Sequence, residues 1–149
     1  MKVVIQRVTD AYVLSPEKEK EEIGKGLVLL VGVGKTDGSA AARSLAEKIS
    51  KMRVFGDDKG KMNLDISQVA GEILSVPQFT LMARTDKGNR PGFDEAALPE
   101  KAEGIWRAFN ESLRNRGIAV KEGFFGKYME ICLKNDGPVT FVVEEVGDE

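Results

Sequence analysis

The sequence contains no histidine, although it has 22 Lys and Arg and 24 Asp and Glu among its 149 residues. Histidine is the commonest general base near neutral pH and the commonest metal ligand. Its absence therefore excludes every catalytic triad or dyad that depends on an imidazole. An enzyme of this composition would work with backbone groups, hydroxyls, amides and atoms of its own substrate.

Cysteine is nearly absent as well, since Cys132 is the single one. It cannot form a disulfide within the chain. Its apolar surroundings, residues 129–133, predict a small buried packing residue rather than a reactive thiol. One cysteine without histidine cannot supply the usual ligands of zinc, so we expect neither a metal nor a cofactor.

Long apolar runs are missing too. The longest, residues 27–33, is interrupted by Gly32 and is too short to span a bilayer. Charged residues precede any apolar core at the N-terminus, unlike in a signal peptide. The net charge of -2 gives no general attraction to membranes or nucleic acid. We therefore expect a cytoplasmic protein with no membrane contact, built as one domain over residues 1–149.

The apolar pattern predicts an α+β fold. One helix carries its apolar stripe from Ala42 to Met52, and a second begins at Pro99 and ends before Gly117. Elements of the two kinds do not alternate strictly, so we expect largely antiparallel sheets around two main helices. Strands are predicted at residues 3–8, 11–14, 27–33, 53–55, 72–79, 128–134 and 139–143. A turn at 135–138 would join the last two, and the acidic end, 144–149, is expected to fray.

The glycines in Gly32-Val33-Gly34-Lys35-Thr36 do not make a phosphate-binding loop. That loop needs a glycine five positions before Gly34, where the sequence has Leu29 inside a strand. We interpret these glycines as the exit from a strand into a loop.

Two short segments and one loop carry the functional signal. Pro77-Gln78-Phe79-Thr80-Leu81 brings an amide, an aromatic ring and a hydroxyl together at a strand terminus. Asn135-Asp136-Gly137-Pro138 reads as a turn, and a Gly-Pro bond can be cis at modest cost. The loop over residues 84–91 clusters Arg84, Lys87 and Arg90 with one acid, which is typical either of a solvated loop or of a phosphate-contacting flank.

Together, in this order, these segments resemble the D-aminoacyl-tRNA deacylases. The resemblance covers nearly the whole chain. Besides the segments above, it rests on Val4-Ile5-Gln6-Arg7-Val8, Ile23-Gly24-Lys25-Gly26-Leu27, Arg53-Val54-Phe55, Lys61-Met62-Asn63, Phe125-Gly126, Tyr128-Met129 and Val139-Thr140.

The resemblance implies a barrel-like core and a homodimer with active sites at the interface. Gln78, Phe79 and Thr80 would line the pocket for the terminal adenosine of aminoacyl-tRNA and its ester, with Met129 as a wall. Gly137 and Pro138, linked by a cis bond, would enter the partner's pocket, hold the substrate's α-amino group and exclude L side chains. Arg7 would support that segment.

The reaction implied is hydrolysis of D-aminoacyl-tRNA, and of mischarged glycyl-tRNA, as chiral proofreading in translation. The family is thought to use the substrate's own 2′-hydroxyl to activate water. Backbone amides near Phe79 and Thr80 would stabilise the oxyanion.

Pro77 departs from the family, which usually has Ser at this position. Proline here resembles an animal branch that clears misacylated L-alanyl-tRNA, but that branch lacks the phenylalanine after glutamine that this chain keeps as Phe79. Two alternatives therefore stand beside D-specific editing: L-alanyl editing, and a non-catalytic module on the same fold that binds RNA or a partner protein.

Overall fold

The computed structural model describes residues 1–145, and a single long strand organises its main sheet. This strand, β1 (Lys2–Leu14), alternates buried and partly exposed residues along most of its length. One edge of β1 pairs antiparallel with β3 (Gly26–Gly32) and, further along, with β2 (Lys20–Ile23). The other edge pairs antiparallel with β8 (Glu130–Glu144).

The sheet continues from β3 through two parallel pairings. β6 (Glu72–Pro77) lies beside β3, and β7 (Ala119–Glu122) lies beside β6. Lys121 Nζ in β7 approaches the Glu22 carbonyl in β2 at 3.4 Å, so the two ends of the sheet come close together. The result is a nearly closed, barrel-like sheet, as predicted, in which antiparallel pairing predominates.

Two helices pack against one another and against the sheet, as their apolar stripes predict. They are α1 (Ser39–Lys51) and α2 (Pro99–Arg114). Proline suits the first turn of α2, because its missing N–H would have no partner within the helix there. Gly117 follows the helix with φ +84°, as expected for a left-handed terminating residue. Among the described residues 1–145, neither helix is long and apolar enough to cross a membrane.

The predicted strands differ from the observed ones in several places. β1 runs without a break through residues 9 and 10, and β6 ends at Pro77 rather than at Phe79. The strand predicted at 53–55 is a two-residue β4 (Phe55–Gly56), paired with β5 (Met62–Leu64) in a separate small sheet. The patterns of β2, β5 and β7 were too short to be predicted.

The largest correction concerns residues 135–138, which do not reverse the chain. β8 pairs with β1 in one direction throughout, from Leu14 opposite Glu130 to Lys2 opposite Glu144. Between Asn135 and Thr140, five steps of β8 face only two steps of β1, from Val8 to Gln6. The extra residues loop out as a bulge, which we call the 135–140 bulge.

Two smaller predictions were also wrong. Cys132 is exposed, because it lies on the outward face of β8, where alternate side chains point away from the core. At the acidic end, Glu144 still belongs to β8, and the Glu145 carbonyl accepts a hydrogen bond from the Met1 ammonium at 2.9 Å. The rest of that segment, residues 146–149, lies outside the described residues.

Candidate active site

A pocket of about 740 Å³ opens where β6 ends. Three parts of the chain enclose it: the end of β6 with the turn that follows, the start of α2, and the connection from β7 to β8. Most of the lining is apolar. The lining residues are Val76, Pro77, Gln78, Phe79, Thr80, Ala97, Pro99, Ala102, Phe125, Gly126, Lys127, Tyr128, Met129 and Ile131.

The predicted segment 77–81 forms one wall of this pocket. The backbone N–H of Gln78 donates to the Val31 carbonyl at 2.8 Å, which continues the β3–β6 pairing by one step beyond the strand. A single 3-10 turn, Phe79–Met82, then bends the chain away. Inside the segment, Gln78 Nε2 donates to Thr80 Oγ1 at 2.5 Å. The side-chain amide and the hydroxyl, which the sequence places close together, are therefore hydrogen-bonded to each other.

Phe79 keeps an exposed ring at this wall. Its side chain is 58% exposed, and its ring meets Phe93 edge to face with 5.1 Å between centroids. The Phe79 and Thr80 amides open the 3-10 turn, where backbone N–H groups have no partner within the turn.

Gly32 is a structural requirement of the site that the sequence analysis missed. A Cβ at this position would lie 2.9 Å from Leu81 Cβ and 3.1 Å from the Gln78 carbonyl oxygen. The 3-10 turn can therefore rest directly on the end of β3 only because residue 32 has no side chain. The sequence shows a glycine at a strand exit, but nothing in the sequence indicates which segment packs on it.

A buried hydrogen bond ties the walls together below the pocket. Trp106 Nε1 in α2 donates to Ser75 Oγ in β6 at 2.9 Å, and both residues are buried. The Trp106 ring also packs against Phe125, with 5.8 Å between centroids. Thus α2, β6 and the β7–β8 connection are held in fixed relation around the site.

The β7–β8 connection supplies the predicted wall residue Met129. A tight turn precedes it, in which Gly126 has φ +74° and the Lys127 amide donates to the Phe124 carbonyl at 3.3 Å. Lys127 and Tyr128 also line the pocket, although the sequence analysis assigned them no role there. Lys127 Nζ lies 3.3 Å from Glu19 Oε1, so this cation is already paired with an acid.

The other predicted substrate-binding residues lie in the 135–140 bulge or behind it. The pocket lining, as far as the described residues form it, does not include Gly137, Pro138 or Arg7 of the same chain. The Gly137–Pro138 bond is cis, and both residues are exposed. Within a single chain, the segment 77–81 therefore lines the pocket and Gly137 and Pro138 do not.

Polar contacts hold the bulge from below. Arg7 Nε donates to the Asp136 carbonyl at 3.0 Å, and Arg7 Nη1 donates to the Val54 carbonyl at 2.7 Å. Asn135 Oδ1 accepts from the Val139 amide at 2.7 Å, and Asn135 Nδ2 donates to Thr140 Oγ1 at 2.9 Å. Arg7 thus links the bulge to the chain at Val54.

The basic loop lies outside the pocket lining, and its three cations differ. Arg84 Nη2 pairs with Asp86 Oδ2 at 2.9 Å. Its backbone also exchanges two hydrogen bonds with Gly92, at 2.7 and 2.8 Å. Lys87 and Arg90 are exposed and form no ion pair with residues 1–145. Those two cations are therefore available to a polyanion, and Arg84 is partly neutralised.

The site's polar chemistry comes from amides and a hydroxyl. Within the described part of the chain, no group of three or more His, Cys, Asp or Glu could hold a metal ion. An apolar pocket with a few polar groups at one wall is typical of a site that binds a small organic group.

Comparison with known proteins identifies the family. The sequence model described as D-Tyr-tRNA(Tyr) deacylase matches residues 4–144. The chain belongs to the D-aminoacyl-tRNA deacylase family. A relative from Alteromonas mediterranea named D-aminoacyl-tRNA deacylase is 53% identical over 138 residues, which is 93% of this chain and 95% of that protein. One of the same name from Bifidobacterium longum subsp. infantis is 49% identical, covering 99% of this chain and 96% of that protein.

Two solved structures have a closely similar fold. The structure titled c-Myc DNA Unwinding Element Binding Protein matches with a TM-score of 0.91 and 40% identity, covering 99% of this chain and 100% of that one. A second, titled as a probable eukaryotic D-amino acid tRNA deacylase, has a TM-score of 0.83 and covers 95% of this chain and 97% of that one. Its 16% identity supports the shared fold alone. The resemblance drawn from the sequence is confirmed.

Proposed function

We propose that this protein hydrolyses the ester bond of D-aminoacyl-tRNA and releases the free D-amino acid and tRNA. The same site would accept glycyl-tRNA, because glycine has no side chain to exclude. The observation that carries the proposal is the apolar pocket whose polar wall is the segment from Gln78 to Thr80, in a chain that matches the deacylase family from residue 4 to residue 144.

The chemistry needs no strong nucleophile, because an aminoacyl ester is already activated. Water attacks the carbonyl carbon, the bond to the ribose oxygen breaks, and that oxygen takes a proton. The neighbouring 2′-hydroxyl of the substrate helps to activate the water. The Phe79 and Thr80 amides stabilise the developing oxyanion, and the hydrogen-bonded Gln78 and Thr80 side chains orient the ester.

We propose a homodimer in which each active site combines two chains. Gly137 and Pro138 at the tip of the 135–140 bulge are exposed, yet no residue of the bulge lines the pocket of its own chain. In a twofold dimer, the same patch of each subunit meets the other subunit, so one bulge can serve the partner's pocket. The carbonyls of Gly137 and Pro138 would hold the substrate's α-amino group and exclude an L side chain.

The basic loop would contact the tRNA backbone. Lys87 and Arg90 are the stronger candidates because they have no acidic partner among the described residues, and Arg84 would contribute less. The protein would act in the cytoplasm, where aminoacyl-tRNA is made and used.

One assay separates the candidate functions: deacylation of D-tyrosyl, L-tyrosyl, glycyl and L-alanyl tRNA by the purified protein. We expect turnover of the D-tyrosyl and glycyl substrates and sparing of L-tyrosyl-tRNA. Preference for L-alanyl-tRNA would favour the second candidate, which Pro77 supports because it lines the pocket where the family usually has Ser. Binding without turnover of any substrate would favour a non-catalytic RNA-binding module.

A further inference from the structure

Tyr128 is exposed at the mouth of the pocket. Its side chain is 78% exposed, a fraction that only Leu98 equals among the large hydrophobic residues described. Single exposed apolar residues are normal on protein surfaces. Tyr128 differs because it also lines the pocket, so its ring continues the apolar wall outwards.

The local backbone directs this ring outwards. The turn through Gly126 precedes it, and Met129, the next residue, is half-buried against a group of core residues that includes Leu74 and Val76. Because most of Tyr128 lies in solvent, a group that fills the pocket leaves much of the ring uncovered. The ring is therefore placed to meet what extends out of the pocket rather than what fills it.

The charges nearby indicate which chemistry this surface suits. Lys127, the one cation in the pocket lining among the described residues, lies 3.3 Å from Glu19 and 3.9 Å from Glu17. A backbone hydrogen bond and, after it, the charge of Lys127 lower the pKa of the Glu17 carboxyl. With its cation neutralised, this side of the mouth offers an aromatic face rather than a phosphate site.

We propose that Tyr128 is a stacking platform for the penultimate base of the tRNA 3′ end, the first base outside the pocket when the terminal adenosine occupies it. This inference rests on the proposed function. Single-stranded RNA ends are recognised largely by stacking of unpaired bases on aromatic side chains. Such a contact strengthens substrate binding and leaves the chemical step alone.

The test is a double-mutant cycle between the ring and the base. Wild type and Tyr128→Ala are assayed on intact D-tyrosyl-tRNA and on D-tyrosyl-tRNA whose penultimate nucleotide lacks its base. On the intact substrate, Tyr128→Ala should lower kcat/KM about 5- to 150-fold, through KM, as expected for loss of one base–aromatic stack. On the abasic substrate, both proteins should be equally slow.

Two further variants serve as controls. Tyr128→Phe keeps the ring and should behave as wild type. Leu98→Ala removes an equally exposed apolar side chain that is not part of the pocket lining, and it should leave both substrates unchanged. Sedimentation of each variant compares its assembly with that of wild type.

The possible failures are distinguishable. If Tyr128→Ala loses the same factor on both substrates, or nothing on either, the stacking role is wrong and the deacylase function stands. Altered sedimentation of Tyr128→Ala with equal losses would assign the ring to a protein interface instead. If wild type hydrolyses neither substrate, the proposed function fails, and this inference fails with it.

Discussion

The 77–81 segment and the 135–140 bulge are held in place by different kinds of interaction. The first rests on close packing, because a Cβ added to Gly32 would lie only 2.9 Å from Leu81 Cβ and 3.1 Å from the Gln78 carbonyl oxygen. The second exposes Gly137 and Pro138 and is held by the polar side chains of Arg7 and Asn135. The pocket wall is thus positioned by packing and the bulge by hydrogen bonds.

This difference suits the parts that we propose for them. Close packing transmits small displacements directly, because protein interiors have few voids to absorb them. It therefore fixes the groups that must meet the transition state. Hydrogen bonds from beneath leave the outer surface of the bulge exposed, where a partner's pocket can reach it. Three glycine substitutions, each to alanine, test the two regions with the same chemical change.

Gly32→Ala should have the largest effect. The new Cβ would push the 3-10 turn away and displace the Phe79 and Thr80 amides together with the Gln78 side chain. We expect kcat to fall about 10²- to 10³-fold, the size of loss seen when an oxyanion donor is removed or reacting groups are displaced by about 1 Å. Single-turnover deacylation of D-tyrosyl-tRNA measures this loss.

Gly104→Ala is the matched control for that experiment. Gly104 lies within α2, and a Cβ there would meet nothing within 4 Å. Its replacement should stabilise the protein by about 0.5–1 kcal/mol and leave activity unchanged. Equal activity of the two variants would show that contact with Gly32 does not position the site.

Gly137→Ala should come next. Gly137 has φ +138°, and a Cβ there would lie 2.6 Å from Val139 Cγ2 and 3.3 Å from Arg7 Nη2. The bulge must therefore distort. If its carbonyls bind the substrate ammonium, the loss of one such bond, about 1.5–3 kcal/mol, lowers kcat/KM roughly 10- to 150-fold. Parallel assays with L-tyrosyl-tRNA should show weaker discrimination. Unchanged rates on both substrates would show that the bulge is not part of the active site.

Thr80→Ala should cost less. The Thr80 hydroxyl accepts one neutral hydrogen bond, from Gln78, and the mechanism that we propose does not use it as a nucleophile. Loss of such a bond, about 0.5–1.5 kcal/mol, predicts a roughly 2- to 13-fold fall in kcat. Complete inactivation with tRNA binding intact would instead indicate a covalent role, which trapping of an acyl-enzyme would reveal.

The smallest effect should come from the basic loop. Replacing Lys87 and Arg90 together by alanine should raise KM for tRNA. The slope of log affinity against log salt should become shallower by about 1.4, because each phosphate of single-stranded RNA that is no longer neutralised contributes about 0.7. Arg84→Ala is the comparison, and it should change the slope less because Asp86 already pairs with this guanidinium. Equal slopes for wild type, the double variant and Arg84→Ala would show that this segment is a solvated loop without a role in tRNA binding.

The sequence predicts the fold class and the helices because both depend on local apolar periodicity. The stripe from Ala42 to Met52 and the termini at Pro99 and Gly117 are all visible within a few residues. The short strands β2, β5 and β7 escape such reasoning, since their pairing depends on partners elsewhere in the chain. The prediction of a turn at residues 135–138 was wrong because turns and bulges both use glycine and proline. Only the pairing with β1 distinguishes the two structures.

The candidate site divides in the same way. Segment 77–81 and Met129 could be predicted as pocket residues because the family resemblance includes them. Gly32, Trp106 and Lys127 could not, because their contacts join parts of the chain that the sequence separates widely. The contact between Trp106 and Ser75 spans 31 positions, and no sequence periodicity extends that far.

Mixing two impaired variants, Gly32→Ala and Gly137→Ala, tests the central claim most directly. That claim is that each active site takes its pocket from one chain and its bulge from the other. Gly32→Ala has a damaged pocket and an intact bulge, and Gly137→Ala has the reverse. In a twofold dimer that assembles at random, half the dimers are mixed and each has one intact site, so co-expression should restore roughly one quarter of wild-type activity. A co-expressed sample no more active than the average of the two variants alone would contradict the claim.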